Sequence, residues 1–515
     1  MLRQSIPHWE LVVISQKQYQ SQVATSLNEC IESLPSDLQS YAKKNVFLKT
    51  VTSKNQAKAC NQGLALSKGK LIAIIQLGDQ IAEHATYEII KAKVSFKKLQ
   101  FAYTDHDHLN HLGHRLNPFH KPDISPDLLY CQNYIGSFGI FDRLMLKKLG
   151  GWSEQNQYAY DYELNLRVIE YLKNTNKLKM VQPDKVKIAH LPVVLYHQRI
   201  RKNNKQSEHI NIRPTQNMEK IEGDEGLRVV ARHLKGINKA VKVAQIRPKL
   251  YRHFWPIPKP EPLVSLIIPT RDGYGILKAC VDSILQKTTY KNYEILIVDN
   301  QSKDQQTLNY LKELTKNYNN IRILNYNKPF NYSALNNYAV SKANGSILGF
   351  INNDTEVITP EWLSIMVSHA VRPEIGAVGA MLYYPDGSIQ HAGVKINGKI
   401  VDNDFKHKSK EKADRNFNQL DSIRNPPAVT AAVLVIKEII YNKVKGFDSK
   451  NFKIEFNDVD LCLKLIEENK YNLWLPHVEH FHYESKTREK LKPHYKKDYI
   501  NILKKISKIA VVAYR

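Results

Sequence analysis

Acidic and amide side chains follow two apolar segments in the second half of the chain, where predicted strands end. Asp299 closes YEILIVD, and Asn352, Asn353 and Asp354 follow ILGFI. A carboxylate at such a position can accept a hydrogen bond from a base or a ribose hydroxyl. A carboxylate beside amides can hold Mg²⁺ or Mn²⁺, because these ions prefer oxygen ligands. Both groups could equally cap a turn or a helix, which Asp and Asn favour.

Two further groups with chemical potential lie nearer the C-terminus. Asp458 precedes a helical pattern that places Leu461 and Leu465 on one face. It could act as a general base on a substrate hydroxyl, or it could simply stabilise the helix dipole. His480 and His482 alternate along a predicted strand and face opposite sides, so one could bind a metal while the other is solvated. The order of these residues is more informative than any one of them.

Alternating strands and helices position the candidate residues. The predicted strands are 263–268, 295–298, 321–324 and 347–351, and the predicted helices are 277–285, 307–318, 333–343 and 360–370. Such alternation predicts an α/β fold with a mostly parallel, doubly wound sheet. Ligands of these sheets bind at the carboxyl ends of the strands, so we expect the candidate residues to share one edge.

The first half of the chain repeats the second half. The matching segments are HWELVVIS with NYEILIVD, GKLIAIIQLGDQI with GSILGFINNDTEV, YAYDYELNLRVIE with IEFNDVDLCLKLIE, and LYHQR with HFHYES. Because their order and spacing agree, we predict two copies of one domain, at 1–205 and 261–490. A linker with a helix and a proline-rich end is predicted at 206–260, and a basic tail at 491–515.

The chain is strongly basic. Its 515 residues contain 75 Lys+Arg against 50 Asp+Glu, a formal net charge of +25. This charge permits anionic partners, but without a recognisable nucleic-acid-binding module we expect no nucleic acid. The apolar runs are far shorter than the roughly 18 residues of a membrane helix, and the N-terminus is polar. These features, with five widely spaced cysteines, predict a cytoplasmic protein. Lysines and apolar Ile500, Leu503 and Ile506 in the tail suggest peripheral contact with an anionic membrane.

Together, these motifs resemble a known family. From about Leu263 to Arg488 the chain is similar to family two glycosyltransferases of GT-A fold, and most of all to tandem bacterial proteins associated with O-antigen, rhamnan and other surface polysaccharides. The resemblance rests on the segments VSLIIPTRDG, YEILIVDNQS, FNYSALNNYAV, FINNDTEVITPEWL, IGAVGAMLYYPDGSIQHAGV, FNDVDLCLKL and HYESKTR. It implies two GT-A domains in tandem, the first of them incomplete.

The resemblance also implies roles for individual residues. Nucleotide-sugar binding falls on Pro269, Thr270, Arg271, Asp299, Asn300, Ser302, Asn352, Asn353 and Asp354. Asp354 and His482 stand at the positions that bind Mg or Mn, and Asp458 at that of the catalytic base. Asn352 departs from the family's pattern, which often has Asp there.

The implied activity is an inverting transfer of a hexosyl or rhamnosyl group from a UDP- or dTDP-linked donor. The acceptor implied is a growing, lipid-linked cell-surface polysaccharide. The alternative is a non-catalytic, glycosyltransferase-like scaffold in a polysaccharide assembly complex.

The first copy departs from the same pattern at several positions. No counterpart of the opening strand precedes His8, and Ser15 replaces the nucleotide-binding Asp. The triplet Gln76-Leu77-Gly78 takes the place of the acidic motif, leaving Asp79 one position late. Asp161 and His197 match the predicted base and the metal-ligand histidine. We therefore predict a degenerate or truncated first domain with a structural or acceptor-binding role rather than a catalytic one. A misassigned start codon would also explain the missing strand.

Overall fold

The computed structural model divides the chain into two compact units, residues 1–252 and residues 253–510. It describes residues 1–136, 138–175, 186–200, 216–397, 400–410, 418–483 and 492–509. Both units combine helices with sheets, so the predicted α/β class is confirmed.

The first unit contains two separate pieces of sheet and a short strand pair. Its strands are β1 (Leu11–Gln16), β2 (Val46–Val51), β3 (Leu71–Ala73), β4 (Gln80–Ile81), β5 (Phe101–Leu109), β6 (Arg115–Phe119), β7 (Gly139–Asp142), β8 (Ile188–Arg199), β9 (Lys242–Arg247) and β10 (Leu250–Phe254). β1 pairs with β2 in parallel. The order β3-β7-β5-β8-β4 forms the second piece, with β6 on β5, and β9 pairs with β10.

Helices cover these strands. They are α1 (Gln20–Glu32), which follows a 3₁₀ turn at Lys17–Tyr19, α2 (Ser36–Asn45), α3 (Gln56–Leu66), α4 (Ala85–Ser95), α5 (Pro126–Cys131), α6 (Arg143–Lys148), α7 (Tyr160–Thr175) and α8 (Gln216–Ile237).

Much of the predicted linker packs as part of the first unit. The helix predicted in this linker is α8, and it buries Val230 and Leu234 completely. Glu225 Oε2 accepts a hydrogen bond from the backbone N–H of Tyr158 (2.9 Å). A helix with one apolar face is stabilised by packing that face against the protein. This part of the linker is therefore a packed element of the first unit. Residues 206–215 of the predicted linker lie outside the described residues.

The second unit is built on one mixed sheet. Its strands are β11 (Val264–Thr270), β12 (Tyr293–Asp299), β13 (Ile321–Asn325), β14 (Ile347–Ile351), β15 (Thr355–Val357), β16 (Ile375–Tyr383), β17 (Ile389–His391), β18 (Val394–Asn397), β19 (Ile400–Asn403), β20 (Val433–Lys437) and β21 (Tyr471–His482). They pair in the order β13-β12-β11-β14-β20-β16-β21-β15, with β17 on β16, and β18 pairs separately with β19.

The helices of the second unit follow the predicted alternation. They are α9 (Tyr274–Lys287), α10 (Gln305–Asn317), α11 (Tyr332–Val340), α12 (Trp362–Ala370), α13 (Glu438–Lys443), α14 (Asn457–Glu467) and α15 (Lys492–Ile509).

The parallel half of this sheet matches the sequence analysis, and the other half does not. β11 pairs in parallel with both β12 and β14, and every residue of these strands is buried, as expected for a sheet covered on both faces. β20 then runs antiparallel to β14 and β16. The sheet is therefore mixed rather than mostly parallel, because β20 enters it from the long loop that follows β19.

The first unit repeats this sheet with one strand missing. Its strands β2, β1, β3, β7, β5, β8 and β4 follow the order of β13, β12, β14, β20, β16, β21 and β15. The four repeated segments fall on equivalent elements: β1 and β12, β3 and β14, α7 and α14, β8 and β21. No strand of the described residues stands where β11 would be. The sheet of the first unit is interrupted there, in agreement with the predicted incomplete copy.

The basic tail forms the helix α15 against the second unit. Ile502 and Ile506 are buried in its core, and Lys505 Nζ contacts Asp460 Oδ1 at 2.6 Å. Of the apolar tail residues singled out from the sequence, Ile506 is buried, Leu503 is half-buried and Ile500 is 45 % exposed. The helix is oriented by packing on the protein, which selects Ile502 instead. The basic residues at 486, 488 and 490 lie outside the described residues.

Within the described ranges, no helix is both long enough and apolar enough to cross a membrane.

Candidate functional site

Hydrogen bonds join the carboxyl ends of β11, β12 and β14. The backbone N–H of Asn300 donates to the carbonyl of Thr270 (2.9 Å), and Asn353 Nδ2 donates to Thr270 Oγ1 (3.1 Å). Pro269 is buried within β11, whereas Arg271 is exposed just beyond it. The predicted residues of these three strands therefore share one edge of the sheet.

The loops after β11 and β12 hold each other through Asp272. Its backbone N–H donates to Ser302 Oγ (2.8 Å), and its Oδ1 accepts from the N–H groups of Lys303 (2.6 Å) and Asp304 (2.8 Å). Asp299 Oδ1 accepts from the N–H of Ser302 (3.0 Å), so Asp299 also caps its own turn. Sequence reasoning missed Asp272, although an Asp-Gly pair signals a tight turn and its φ is 55°.

Asn300 uses its amide to connect two loops. It is buried, and its Nδ2 donates to the carbonyls of Tyr326 (2.9 Å) and Lys328 (2.8 Å). This side chain therefore fixes the rim of the predicted nucleotide pocket.

Asp354 and His482 face each other across adjacent strands. β15 pairs antiparallel with β21, which places Thr355 opposite His482. His482 Nε2 lies 3.1 Å from Asp354 Oδ1 and 3.3 Å from Asn352 Nδ2. The two predicted metal ligands are thus brought together as expected from the sequence.

Gln390 orients the imidazole of His482. Its Oε1 lies 2.6 Å from His482 Nδ1 and can only accept, so Nδ1 carries the proton. Nε2 then faces Asp354. Gln390 is buried on β17, 92 residues away in sequence. Sequence analysis overlooked it, although it lies in a quoted motif, DGSIQHAGV.

This arrangement fits a divalent cation. An imidazole nitrogen and a carboxylate oxygen 3.1 Å apart share a positive charge, either a proton on Nε2 or a cation that both atoms bind. A carboxylate oxygen and an imidazole nitrogen are both ligands of Mn²⁺, and a carboxylate is a ligand of Mg²⁺. Asn352 cannot supply the second carboxylate, and its Oδ1 already accepts from Tyr332 OH (3.2 Å).

Asp458 lies in the first turn of α14, as predicted. The preceding Phe456 has φ 57°, which turns the chain into the helix. Asp458 Oδ2 accepts from the N–H of Ala431 (3.1 Å) and Oδ1 from that of Val459 (2.8 Å). Burial raises the pKa of the Asp458 carboxyl, and these hydrogen bonds only partly offset it.

Residues 430–432 connect Asp458 to Asn352, beside the predicted metal ligands. Asp458 binds the N–H of Ala431, while the carbonyl of Ala432 accepts from the N–H of Asn352 (2.9 Å). The N–H of Thr430 donates to His391 Nε2 (3.3 Å). Burial lowers the pKa of His391 to about 4, so this ring is neutral and accepts. Sequence analysis did not identify this segment, which carries no catalytic residue type of its own apart from Thr430.

His480 faces away from His482, as the strand period requires, but it is not solvated. It is 1 % exposed, and its ring meets that of Trp362 edge-on at 5.0 Å. Burial lowers the pKa of His480 to about 3, so this ring is a neutral part of the core. The sequence alternative of a solvated histidine was wrong, because β21 lies inside the sheet with both faces covered.

In the first unit, the structure matches a different residue to Asp354 than the sequence alignment did. Gln80 pairs with His197 just as Thr355 pairs with His482, which places Asp79 at the position of Asp354. Asp79 was predicted one position late. The extra residue is taken up by a turn at Gly78, whose φ of 97° suits glycine.

Asp79 and His197 are nevertheless engaged elsewhere. The Asp79 carboxylate accepts from Tyr196 OH and from the N–H of Arg199 (2.9 Å for the latter). His197 Nδ1 lies 2.6 Å from Asp107 Oδ1, where His482 has a glutamine. Asp161 Oδ1 accepts from the N–H of Tyr162 (2.7 Å), much as Asp458 does within α14. The first unit therefore has an Asp, a His and a helix-start Asp at the equivalent backbone positions, but the side chains of Asp79 and His197 make different contacts.

The second unit is thus an α/β domain with carboxylates and a histidine at the carboxyl edge of its sheet. Residues 265–425 match the model for glycosyl transferase family 2. Over these residues the second unit is similar to that family, in line with the sequence resemblance.

Two bacterial proteins are similar over most of the chain. The uncharacterized protein y4gI of Sinorhizobium fredii is 36 % identical over 458 residues, covering 88 % of this chain and 48 % of the relative. The O-antigen biosynthesis protein RfbC of Myxococcus xanthus is 30 % identical over 482 residues, covering 93 % of this chain and 35 % of the relative. The chain thus spans half or less of the length of these relatives.

Solved structures show weaker similarity. GalNAc-T7 with UDP, GalNAc and Mn²⁺ is 14 % identical, with a TM-score of 0.40 and 51 % of each chain covered. The mannosyltransferase PcManGT from Pyrobaculum calidifontis, in complex with GDP-Man and Mn²⁺, is 16 % identical, with a TM-score of 0.36, covering 49 % of this chain and 67 % of that one.

Proposed function

We propose that the second unit is an inverting glycosyltransferase that moves a sugar from a UDP- or dTDP-linked donor to a cell-surface polysaccharide. The observation that carries the proposal is the attachment of Asp458 and of Asn352, beside Asp354 and His482, to the same segment, 430–432. The name of the Myxococcus relative supports an O-antigen type of product. We further propose a lipid-linked acceptor, built at the cytoplasmic face of a membrane.

In this mechanism Asp458 acts as the general base. Its carboxylate takes the proton of an acceptor hydroxyl, whose oxygen forms a bond to the anomeric carbon. The bond from that carbon to the nucleoside diphosphate breaks on the opposite face, so the configuration inverts. The hydrogen bonds from Ala431 and Val459 hold the carboxylate in place for this transfer.

The edge formed by β11, β12 and β14 would bind the nucleotide. Asp299 ends β12 opposite Thr270, and Ser302 lies in the loop that follows; these two residues would bind the base or ribose. Arg271 is exposed and could reach a phosphate. Bound between Asp354 and His482, Mg²⁺ or Mn²⁺ would neutralise charge that develops on the leaving diphosphate.

A panel of nucleotide sugars tests the function. The purified chain is incubated with UDP-, dTDP- and GDP-linked sugars and a lipid-linked glycan acceptor, with and without metal, and the released nucleotide is measured. Release of UDP or dTDP that depends on the acceptor is the expected result. A non-catalytic scaffold, the second candidate, would release none and would show no stabilisation by any nucleotide.

Replacing Gln390 tests the orientation of His482. We expect Gln390→Met to weaken Mn²⁺ binding about 10- to 100-fold, because the ring loses the acceptor that fixes its Nδ1 proton. The Tm of the protein is measured in the presence of UDP at increasing MnCl₂ concentrations. The readout is the MnCl₂ concentration at the midpoint of the Tm increase. Gln390→Glu keeps an acceptor oxygen and is the matched control. Equal midpoints in Gln390→Met and the wild type would show that Gln390 has no positioning role.

Exposed lysines on α15 test the proposed membrane contact. Lys497 and Lys504 are exposed, whereas Lys505 contacts Asp460. Each lysine near anionic lipid contributes about 1 kcal/mol, so Lys497→Glu with Lys504→Glu should weaken binding to phosphatidylserine vesicles by about tenfold or more. Vesicle sedimentation measures this change. Unchanged sedimentation of the double variant would argue against contact through α15.

A further inference from the structure

Asp460 is a buried acidic residue on the helix that carries Asp458. It lies in the first turn of α14, two residues after Asp458, and its side chain is only 3 % exposed. Its Oδ1 accepts a hydrogen bond from Lys505 Nζ of α15 (2.6 Å). Because a carboxylate removed from water needs a cation as partner, this contact ties the start of α14 to α15.

A second lysine lies near the same carboxylate but makes a different contact. Lys464 Nζ is 3.2 Å from Asp460 Oδ2, and it donates its hydrogen bond to the carbonyl of Gly446. Among the described residues, Asp460 Oδ2 accepts no hydrogen bond. Lys464 belongs to α14 itself, whereas Lys505 is 45 residues away from Asp460 in sequence. Of these two lysines, Lys505 is therefore the one that joins α14 to another helix.

The helix α15 also packs on the turn before α14. Phe456 has a φ of 57°, a left-handed conformation that is rare for an aromatic residue and persists where its surroundings hold it. Its ring lies 5.7 Å from that of Tyr499, centroid to centroid. Ile502 and Ile506 lie in the buried cluster on which both rings pack. α15 thus contacts the chain on both sides of Asp458, at Phe456 before it and at Asp460 after it.

The first turn of α14 determines where the Asp458 carboxylate lies. The carbonyl of Phe456 accepts from the N–H of Asp460 (2.9 Å), so the residues that flank Asp458 belong to one helical turn. Asp458 Oδ2 accepts from the N–H of Ala431 at 3.1 Å. A hydrogen bond is lost once its heavy atoms are about 3.6 Å apart, so a displacement of about 0.5 Å would break this one.

We propose that Lys505 is a positioning residue for the transfer reaction. By holding Asp460, it fixes the first turn of α14 and thereby the carboxylate of Asp458; this rests on the proposed role of Asp458 as general base. Without the ammonium of Lys505, Asp460 Oδ1 is a buried acceptor that has lost its donor, which favours movement of the turn. Catalysis is sensitive to such movement, since a misplacement of about 1 Å can cost about 100-fold in rate.

Lys505→Met in the full chain tests this proposal by kinetics. We expect kcat to fall about 10- to 100-fold, with the KM for the donor and the affinity for UDP with Mn²⁺ changing by less than about threefold. Lys505→Arg keeps a charged donor and should restore most of kcat. Lys443→Met is the matched control, because Lys443 Nζ contacts Glu468 at the other end of α14 (2.5 Å) and its side chain is 61 % exposed. This control should leave kcat unchanged, and an equal loss of kcat in it would overturn the proposal.

Hydrogen exchange reports the position of Asp458 without turnover. In Lys505→Met the N–H of Ala431 should exchange about tenfold faster or more, while the amides of β12 keep their protection. Unchanged exchange at Ala431 would overturn the proposal, as would an equal acceleration in β12, which indicates a general loss of stability. An inactive wild-type chain would count against the proposed function, whereas exchange at Ala431 would still test the link from Lys505 to Asp458.

Discussion

Asp458→Asn should lower kcat by about 10²- to 10⁴-fold while leaving donor binding nearly unchanged, because a general base contributes that much to catalysis. Asparagine retains an acceptor for the N–H groups of Ala431 and Val459, so α14 should keep its start. The measurements are steady-state kinetics with the best donor of the nucleotide-sugar panel, and nucleotide affinity by calorimetry.

The first unit provides a matched control for this variant. Asp161→Asn changes the equivalent residue of α7 and should leave kcat unchanged. Full activity of purified Asp458→Asn would exclude Asp458 as the base. If only Asp161→Asn lost activity, the catalytic base would have to be assigned to the first unit.

The pH dependence of the reaction follows from the environment of Asp458. Burial raises its pKa, so the carboxylate that accepts the proton is lost at a higher pH than for an ordinary Asp, whose pKa is about 3.9. We therefore expect kcat/KM to fall to half of its maximum, on the acid side, at a pH above that value.

The second large effect is expected for Asp354→Ala. Removing this carboxylate leaves His482 as the remaining predicted metal ligand of the pair, so stabilisation by UDP with Mn²⁺ should be lost. Activity should fall at least 100-fold, as for other electrostatic groups that stabilise a leaving charge. Thermal shifts at several MnCl₂ concentrations report binding independently of turnover.

Asp79→Ala is the corresponding control in the first unit. Asp79 lies at the same strand position as Asp354, but its carboxylate is engaged by Tyr196 and Arg199. This variant should retain the Mn²⁺-dependent shift. An Asp354→Ala variant that still responds to MnCl₂ in the same way would contradict the proposed metal site.

The sequence analysis succeeded where local pattern decides structure. Short apolar segments with polar ends predicted β11, β12 and β14, and the start of α14 at Asp458 followed from its helical period. It failed where distant segments meet. Gln390 reaches His482 from 92 residues away, and nothing local indicates that contact. The shift at Asp79 depends on one turn at Gly78, which an ungapped alignment cannot include.

The antiparallel pairing of β20 and the burial of Ile502 were missed for a related reason. β20 is an apolar segment that runs antiparallel to β14. Its direction depends on the end of the sheet at which the preceding loop enters, which the residues of β20 do not indicate. α15 has apolar residues on more than one face, and only the surface it packs against selects Ile502 and Ile506. Tertiary contact, rather than propensity, determines both features.

The interrupted sheet also affects how the first unit unfolds. Cooperative unfolding depends on continuous main-chain pairing across a sheet, and in the described part of the first unit β1 and β2 share no ladder with the strands that begin at β3. Side-chain bonds, such as those from Glu10 to Gly69 and from Asn61 to Trp152, hold the two parts together. The stretch from β1 to α3 can therefore open as a separate cooperative unit while the rest of the domain remains folded.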